Sequence, residues 1–403
     1  MSQKPQKSQK PQKPLMVMSA GGTGGHMFPA NAAAQYLRAQ NWRVVTITDQ
    51  RGLVWENTNA KPADSRDLYA IHSMPVSNRS GLKLLWSCMV LGIGLIQAIM
   101  LLIWLRPKLV AGFGGYASVP ILIAARILGI RHVLHEQNAV LGRANRWLAS
   151  GAAALAMSFP KVEELNPAHQ SKAWWIGNPV REAFIQASRI PYRVGETRDD
   201  PIRILVTGGS QGAEIFGHIV PRAIAQLPQG LRQRLQISQQ LHQEQIDPVQ
   251  ALYQQAGVSC EVALFFPDLA RRMAACHLLI GRAGASTIAE LAVAGRPALL
   301  IPYPHAVDNH QMANASNLAE AACAWILPEH AFDVKTLARR LQTLLEEPGL
   351  LRVAAKASKR IAVPDAARRL ADLLEAISRN GRPQPGLQKV VAISMHRQPI
   401  DEV

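Results

Sequence analysis

Short apolar runs alternate with helix-periodic stretches along most of this chain, and nearly every run ends in a glycine or polar cluster. Residues 15–20, 42–48, 68–72, 108–113 and 131–134 read as strands. The pattern restarts at 202–207 and continues through 235–238, 260–265, 277–280 and 298–301. Unbroken apolar strands separated by amphipathic stretches predict parallel sheets covered by helices on both faces. Two such series in 403 residues predict two α/β domains. The break falls at GNPVR, 177–181, and residues 185–200 are polar and irregular. Pro364 interrupts the closing helical region before a last amphipathic helix to about Arg379.

One stretch departs from this rhythm. Between Lys83 and Arg106 lie twenty-two residues without a charge, with Trp86 and Trp104 near the two ends. By length and composition it passes for a transmembrane helix. A single crossing, however, would separate the glycine loop at 21–26 from every loop after Arg106. The preferred reading is therefore a membrane-surface element, kinked or in two helices, with one side on the sheet and the other in lipid. A true span and an apolar core helix are the alternatives.

Charge sharpens the picture. The formal charge is +16, of which Lys4, Lys7, Lys10 and Lys13 supply four from a polar repeat at 1–14 that has no apolar core and reads as a disordered tail. A basic body suits an anionic partner, whether phosphorylated substrate, anionic lipid or nucleic acid. With 5% aromatic residues and no recognisable module, nucleic acid is the weakest of these. Cys88, Cys260, Cys276 and Cys323 form no CxxC pair and no even spacing, which argues for a reducing compartment.

The candidate chemistry lies in the loops after strands. RAGASTIAE at 282–290 reads as a strand, tight turn and helix start, where the exposed amides of Ala285, Ser286 and Thr287 favour a diphosphate. Glu290, one turn further on, is placed to accept hydrogen bonds from ribose hydroxyls. GGTGGH at 21–26 has the same position after a strand, before a helix expected at 28–40. It is neither a Walker A loop nor a dinucleotide fingerprint, since the GK[ST] ending is missing and Met27 stands where a glycine is required, so no nucleotide cofactor is expected. His26 is a candidate general base, because imidazole titrates near neutrality; a capping or packing histidine is the alternative. HEQN at 135–138 sits at a strand end, and Glu136 is a second candidate for base or for loop closure. Ala139 rules out the HExxH zinc motif there, and His305, His310 and Asp308 lack a further ligand, so no metal is expected.

Taken in order, GGTGGH (21–26), GFGGY (112–116), HEQN (135–138), GNPVR (177–181), GGSQGA (208–213), RAGASTIAE (282–290) and NHQMANA (309–315) resemble the MurG family of peptidoglycan N-acetylglucosaminyltransferases over about residues 15–380. That resemblance implies the GT-B glycosyltransferase fold, two Rossmann-like domains with a cleft between them. It divides the chain into a disordered basic tail (1–14), an acceptor- and membrane-facing domain (15–181) and a UDP-N-acetylglucosamine-binding domain (182–363). A helix (364–380) packing back on the first domain and a loose tail (381–403) complete it. It implies inverting, metal-independent transfer of N-acetylglucosamine from the UDP-sugar to undecaprenyl-diphospho-N-acetylmuramyl-pentapeptide, lipid I, giving lipid II. Peripheral attachment to the cytoplasmic side of the inner membrane would run through an anionic-lipid contact at 82–106.

Carried over residue by residue, the resemblance puts Thr23, Gly24 and Gly25 beside the reacting sugar. Asn138, Arg181, Ser210, Phe266 beside the uracil, Ala285, Ser286, Thr287, Ile288, Ala289, Glu290 and Gln311 would hold the donor. Helix-terminal amides with Arg181 or Arg282 would stabilise the leaving diphosphate. His26 is favoured over Glu136 as the base. A non-catalytic scaffold that binds the nucleotide sugar, and a transferase for another acceptor, are the rival readings.

Overall fold

The computed structural model describes residues 13–22, 24–59, 67–73, 82–194, 200–209, 213–383 and 386–393. Apart from Lys13 and Pro14, the basic tail expected over 1–14 lies outside them. The chain forms two compact units. The first holds Met1–His135, Leu148–Leu155 and Arg368–Gly386; the second holds Glu136–Trp147, Ala156–Ala367 and Leu387–Val403.

In the first unit, β1 (Leu15–Ser19), β2 (Arg43–Thr48), β3 (Leu68–Ala70), β4 (Leu109–Gly112) and β5 (His132–Glu136) pair in parallel in the order β3-β2-β1-β4-β5. Val17, Val45, Val110 and Val133 are buried, as strands covered on both faces require. The order reverses direction at β1, so the loops after β1 and β4 lie side by side at the carboxyl ends of adjacent strands, where ligands bind in open α/β sheets. β5 runs on through His135 and Glu136, two residues past the expected strand end; both side chains are buried. The helix Ala366–Asn380 contributes its length from Arg368 to this unit. Gln40 Nε2 donates to Asp372 Oδ1 at 3.3 Å, Trp42 Nε1 to Glu375 Oε1 at 3.2 Å, and Arg131 Nη1 to the carbonyls of Ile377 and Ser378.

The uncharged stretch is one helix, Leu82–Leu105, rather than the kinked or double helix expected from its glycines. Gly94 does not break it because that position faces inward, where a Cβ would lie 2.1 Å from the carbonyl oxygen of His72; the glycine allows close approach. Ser87, Ala98 and Leu102 are buried, whereas Trp86, Met89, Ile93, Ile96, Met100 and Ile103 form an exposed apolar stripe at alternating spacings of three and four. Trp86–Leu105 is long and apolar enough to cross a membrane, and 22% of it is buried in the fold.

The second unit carries the other series. β9 (Ile202–Thr207), β10 (Leu235–Gln240), β11 (Ser259–Ala263), β12 (Leu278–Gly281), β13 (Ala298–Leu300) and β14 (Ala324–Ile326) form a parallel sheet in the order β11-β10-β9-β12-β13-β14. Its core runs from Ile204, Val206 and Ile280 outward to Phe216, Tyr253, Phe332 and Leu341. Short strands missing from the sequence pattern lie outside that sheet: β7 (Lys161–Glu163), β8 (Ala173–Trp175), β15 (Gln388–Lys389) and β16 (Val391–Ile393), with β6 (Ala154–Met157) before them. The tail expected to be loose from 381 therefore includes paired backbone. β15 is antiparallel to β8 and β16 parallel to β7, with Val390 fully buried between them.

Candidate active site

Each unit presents one cluster of the residues singled out by sequence. In the first unit the chain leaves β1 through Gly21 and Gly22. Gly21 N donates to the carbonyl of Gly114 at 2.9 Å. A Cβ on Gly21 would lie 2.7 Å from the Gly115 Cα, and one on Gly115, whose φ is +79°, would lie 2.5 Å from the Gly21 Cα. The two glycine loops thus meet backbone to backbone, with no room for a side chain on either. Ser118 Oγ fixes the second loop by donating to the Gly115 carbonyl at 2.8 Å.

The following helix spans Gly24–Ala39, so it starts four residues earlier than its hydrophobic pattern indicates. Its first turn is GGHM, too small and polar to register as a helical period. Gly24, Gly25 and His26 are consequently first-turn residues, while Thr23 lies outside the described residues. His26 is half-buried, and desolvation lowers its pKa to about 4; the carboxylate of Asp49 opposes that shift and the guanidinium of Arg51 adds to it. Arg51 and Asp49 pair with each other at 2.9 Å. His135 is buried against the ring of Phe113, centroids 5.2 Å apart, and burial together with repulsion from His26 takes its pKa to about 3. Both imidazoles are neutral at pH 7, able to accept a proton or a hydrogen bond.

In the second unit the Glu136 carboxylate is enclosed by its own loop. Oε1 accepts from Asn138 N at 3.1 Å and Asn138 Nδ2 at 3.3 Å; Oε2 accepts from Gly142 N at 2.9 Å and Asn145 Nδ2 at 2.8 Å. Burial raises its pKa, and these four hydrogen bonds pull the other way. That is the geometry of loop closure, with the carboxylate's acceptor sites engaged.

The turn after β12 leads into a helix start suited to an anion. The helix Ala285–Ala294 has Gly284 as its N-cap, without a side-chain cap, and its first internal bond is Ile288 N to Gly284 O at 3.0 Å. The amides of Ala285, Ser286 and Thr287 therefore have no acceptor within the helix, and the helix dipole adds positive potential there. Ser286 Oγ is buried with no protein partner. Ile288 is buried, Ala289 is half-buried, and Glu290 is buried and paired with Arg181, Nε to Oε1 at 2.9 Å and Nη2 to Oε1 at 2.8 Å. Burial raises the Glu290 pKa to about 7 against the opposing pull of Arg181.

Further side chains brace these loops, and one of them, Asn314, ties this turn to the loop after β5. Gln311 Oε1 accepts from Ala283 N at 3.2 Å and Tyr303 N at 3.0 Å. Asn314, fully buried, donates from Nδ2 to Asn138 Oδ1 at 3.1 Å and to the Ala283 carbonyl at 3.0 Å, and accepts from Ala139 N at 2.8 Å. Asp308 binds Arg143 at 2.8 Å and Arg146 at 2.6 Å, and the two guanidiniums hold its carboxyl below the usual range. Its backbone and that of Asn309 are left-handed, φ +52° and +51°, a conformation that Asp and Asn tolerate. None of these links was read from sequence, although Asn314 lies within the quoted NHQMANA motif.

Arg282 is buried, its Nη1 donating to the carbonyls of Ile301 and Pro302 and pairing with Glu329, so its charge is engaged inside the unit, as that of Arg181 is by Glu290. Phe266 is buried with the Arg272 guanidinium 4.3 Å over its ring. Ser210 lies outside the described residues. Among the described residues no three His, Cys, Asp or Glu side chains cluster as a metal site.

Comparison with known proteins agrees with this arrangement. Residues 16–157 match the glycosyltransferase family 28 N-terminal domain, and residues 203–370 the family 28 C-terminal domain. The UDP-N-acetylglucosamine--N-acetylmuramyl-(pentapeptide) pyrophosphoryl-undecaprenol N-acetylglucosamine transferase of Rhodospirillum centenum is 46% identical over 377 residues, 93% of this chain and 97% of that one. Its namesake from Paramagnetospirillum magneticum is 44% identical over 366 residues, 91% and 97%. Among solved structures, Acinetobacter baumannii MurG superposes with a TM-score of 0.72 at 31% identity, covering 90% of this chain and 99% of that one. A UDP-N-acetylglucosamine 2-epimerase, 14% identical with a TM-score of 0.60, shares the fold.

Proposed function

The chain belongs to glycosyltransferase family 28, with the two-domain GT-B fold, and from that premise we infer that it transfers N-acetylglucosamine from UDP-N-acetylglucosamine to N-acetylmuramyl-(pentapeptide) pyrophosphoryl-undecaprenol. The product is lipid II of peptidoglycan synthesis. The site observation that carries this reading is the helix start at Ala285: three open amides, an unpartnered Ser286 hydroxyl, and the Arg181–Glu290 pair one turn away. It suits a nucleoside diphosphate sugar, with phosphates on the amides and ribose hydroxyls on the carboxylate.

In the proposed reaction the acceptor hydroxyl attacks the anomeric carbon from the face opposite UDP. The new C–O bond forms as the sugar–phosphate bond breaks, the electron pair leaves on the diphosphate, and the configuration inverts from α to β. The open amides and Arg181 stabilise the leaving charge without calling on a metal. His26 takes the hydroxyl proton: it is neutral at pH 7, whereas the Glu136 carboxylate is engaged by four donors of its own loop. Thr23, Gly24 and Gly25 line the reacting sugar. Asn138, Ser210, the Phe266 backbone, residues 285–290 and Gln311 hold the donor.

The undecaprenyl chain of the acceptor requires a bilayer. The reading therefore has the protein peripheral on the cytoplasmic face of the inner membrane, resting on the exposed stripe of the helix Leu82–Leu105, with Arg106 and Lys108 beside anionic headgroups. One experiment tests both parts. Labelled UDP-N-acetylglucosamine is supplied with chelator present, and the acceptor is offered either as a short-chain soluble analogue or in phosphatidylglycerol vesicles. β-linked disaccharide from both is expected, and I96E/M100E should lose the vesicle reaction alone. No transfer to either acceptor, with UDP still bound, refutes the transferase; equal activity of the variant on vesicles refutes the membrane contact.

A further inference from the structure

Two side-chain amides join the loop after β5 to the turn after β12, and the chemistry of their neighbours fixes which way each one points. Ala139 N can only donate and the Ala283 carbonyl can only accept. Asn314 therefore turns Oδ1 to the first, at 2.8 Å, and Nδ2 to the second, at 3.0 Å. The other hydrogen of that Nδ2 meets Asn138 Oδ1 at 3.1 Å. From the opposite end, the Glu136 carboxylate receives Asn138 Nδ2 at 3.3 Å. Glu136, Asn138, Asn314 and Ala283 thus form one chain of hydrogen bonds inside the second unit.

Helix spacing brings Asn314 to this place. Gln311 and Asn314 stand three residues apart in the helix His310–Glu320 and share a face. Gln311 Oε1 takes the Ala283 N–H and Asn314 Nδ2 the Ala283 carbonyl, so the backbone is held on both sides two residues before the open amide of Ala285. Asp308, just before the same helix, is paired with Arg143 and Arg146, which follow the Glu136 loop in the chain. Helix, loop and turn are braced together. Asn314 is fully buried and Asn138 half-buried, so of the two amides only that of Asn138 is open to a ligand.

We propose that Asn314 is a positioning residue for the sugar of the donor, acting by setting the Asn138 carboxamide in one orientation beside the anion-binding turn. The assignment rests on the transferase reading above, in which Asn138 and the turn both hold the UDP-sugar. With Nδ2 engaged once by Glu136 and Oδ1 once by Asn314, Asn138 keeps one N–H and one lone pair among the described residues. Together they complement a sugar hydroxyl, which both accepts and donates. A carboxamide free to turn over would present the two in reverse order, and Asn314 removes that choice. Because the same side chain grips Ala283, it also fixes the spacing between the sugar contact and the diphosphate amides.

The test is a double-mutant cycle with a saturating soluble acceptor. Wild type, Asn138→Ala, Asn314→Ala and the double variant are compared by kcat/KM for UDP-N-acetylglucosamine and by affinity for UDP alone, with thermal melting as the folding control. Asn314→Asp is the second probe: it keeps an oxygen for Ala139 N and sets another against Asn138 Oδ1. Asn314→Ala is expected to lose on the order of tenfold in kcat/KM, carried by KM, while UDP binds within about twofold of wild type because Gln311 still holds the turn. Asn314→Asp should show the same split. In the Asn138→Ala background, removing Asn314 should cost no more than about another twofold. UDP affinity that falls as far as kcat/KM, or losses that multiply in the double variant, overturn the positioning role and leave the transferase intact. A wild type that binds UDP but transfers no sugar overturns the transferase reading and the positioning role with it.

Discussion

The two units reach their functional clusters by opposite means. In the first, backbone does the work: two glycine loops touch through Gly21 and Gly115, and two histidines beside them are held neutral by burial. In the second, charge does it: a helix start, the Arg181–Glu290 pair and an Asp308 carboxylate between two arginines. A neutral imidazole offers a lone pair and little grip on a diphosphate. Open amides and a guanidinium grip a diphosphate and cannot accept a proton. In the proposed reaction the first unit handles the proton and the second holds the leaving group.

The largest test of that division is His26→Ala, expected to lower kcat by roughly 10²- to 10⁴-fold while UDP affinity stays within a factor of about two. Unchanged turnover, with Glu136→Ala inactive and still binding UDP, would move the base to the second unit and break the comparison. Next comes Arg181→Ala, which leaves Glu290 buried without its cation. UDP-N-acetylglucosamine should bind on the order of a hundredfold more weakly, and the melting temperature should fall. A variant with normal donor affinity and a depressed kcat would mean the second unit does more than grip.

The smallest effect concerns acid. The folded pKa values of His26, near 4, and His135, near 3, lie below the unfolded value of about 6.5, so the unfolded chain binds more protons between them. Stability is therefore full above pH 6.5 and declines as pH falls through this window, by up to about 1.4 kcal/mol per pH unit for each group. His135→Phe should flatten that decline in urea melts from pH 6.5 to 4. An unchanged slope would remove buried neutral histidine as the first unit's distinguishing feature.

How far the sequence carried this picture depended on element length. β1, β2, β9 and β12 are apolar runs that stand out, whereas β7, β8 and β14 have three residues each, too few to show a period. The anion-binding start at Ala285 was legible because a strand, a glycine and a helix follow in nine residues. The bridging by Asn314 was not, since an asparagine within a helix looks the same whether its amide joins two loops or faces solvent. The surroundings of Arg282 were hidden for the same reason: sequence shows the charge, and only packing shows that Glu329 and two carbonyls hold it.

The apolar helix has a consequence that concerns time rather than place. Its inward face, at Gly94, rests on the chain around His72 and approaches Pro120 of the helix Ser118–Ile127. Pro120 is made after Leu105, as are the strands β4 and β5 that complete the sheet. A ribosome therefore releases a segment long and apolar enough for a bilayer before the surface that would hold it in the fold exists. For that interval the segment lacks the helix Ser118–Ile127, against which its inward face lies in the finished fold.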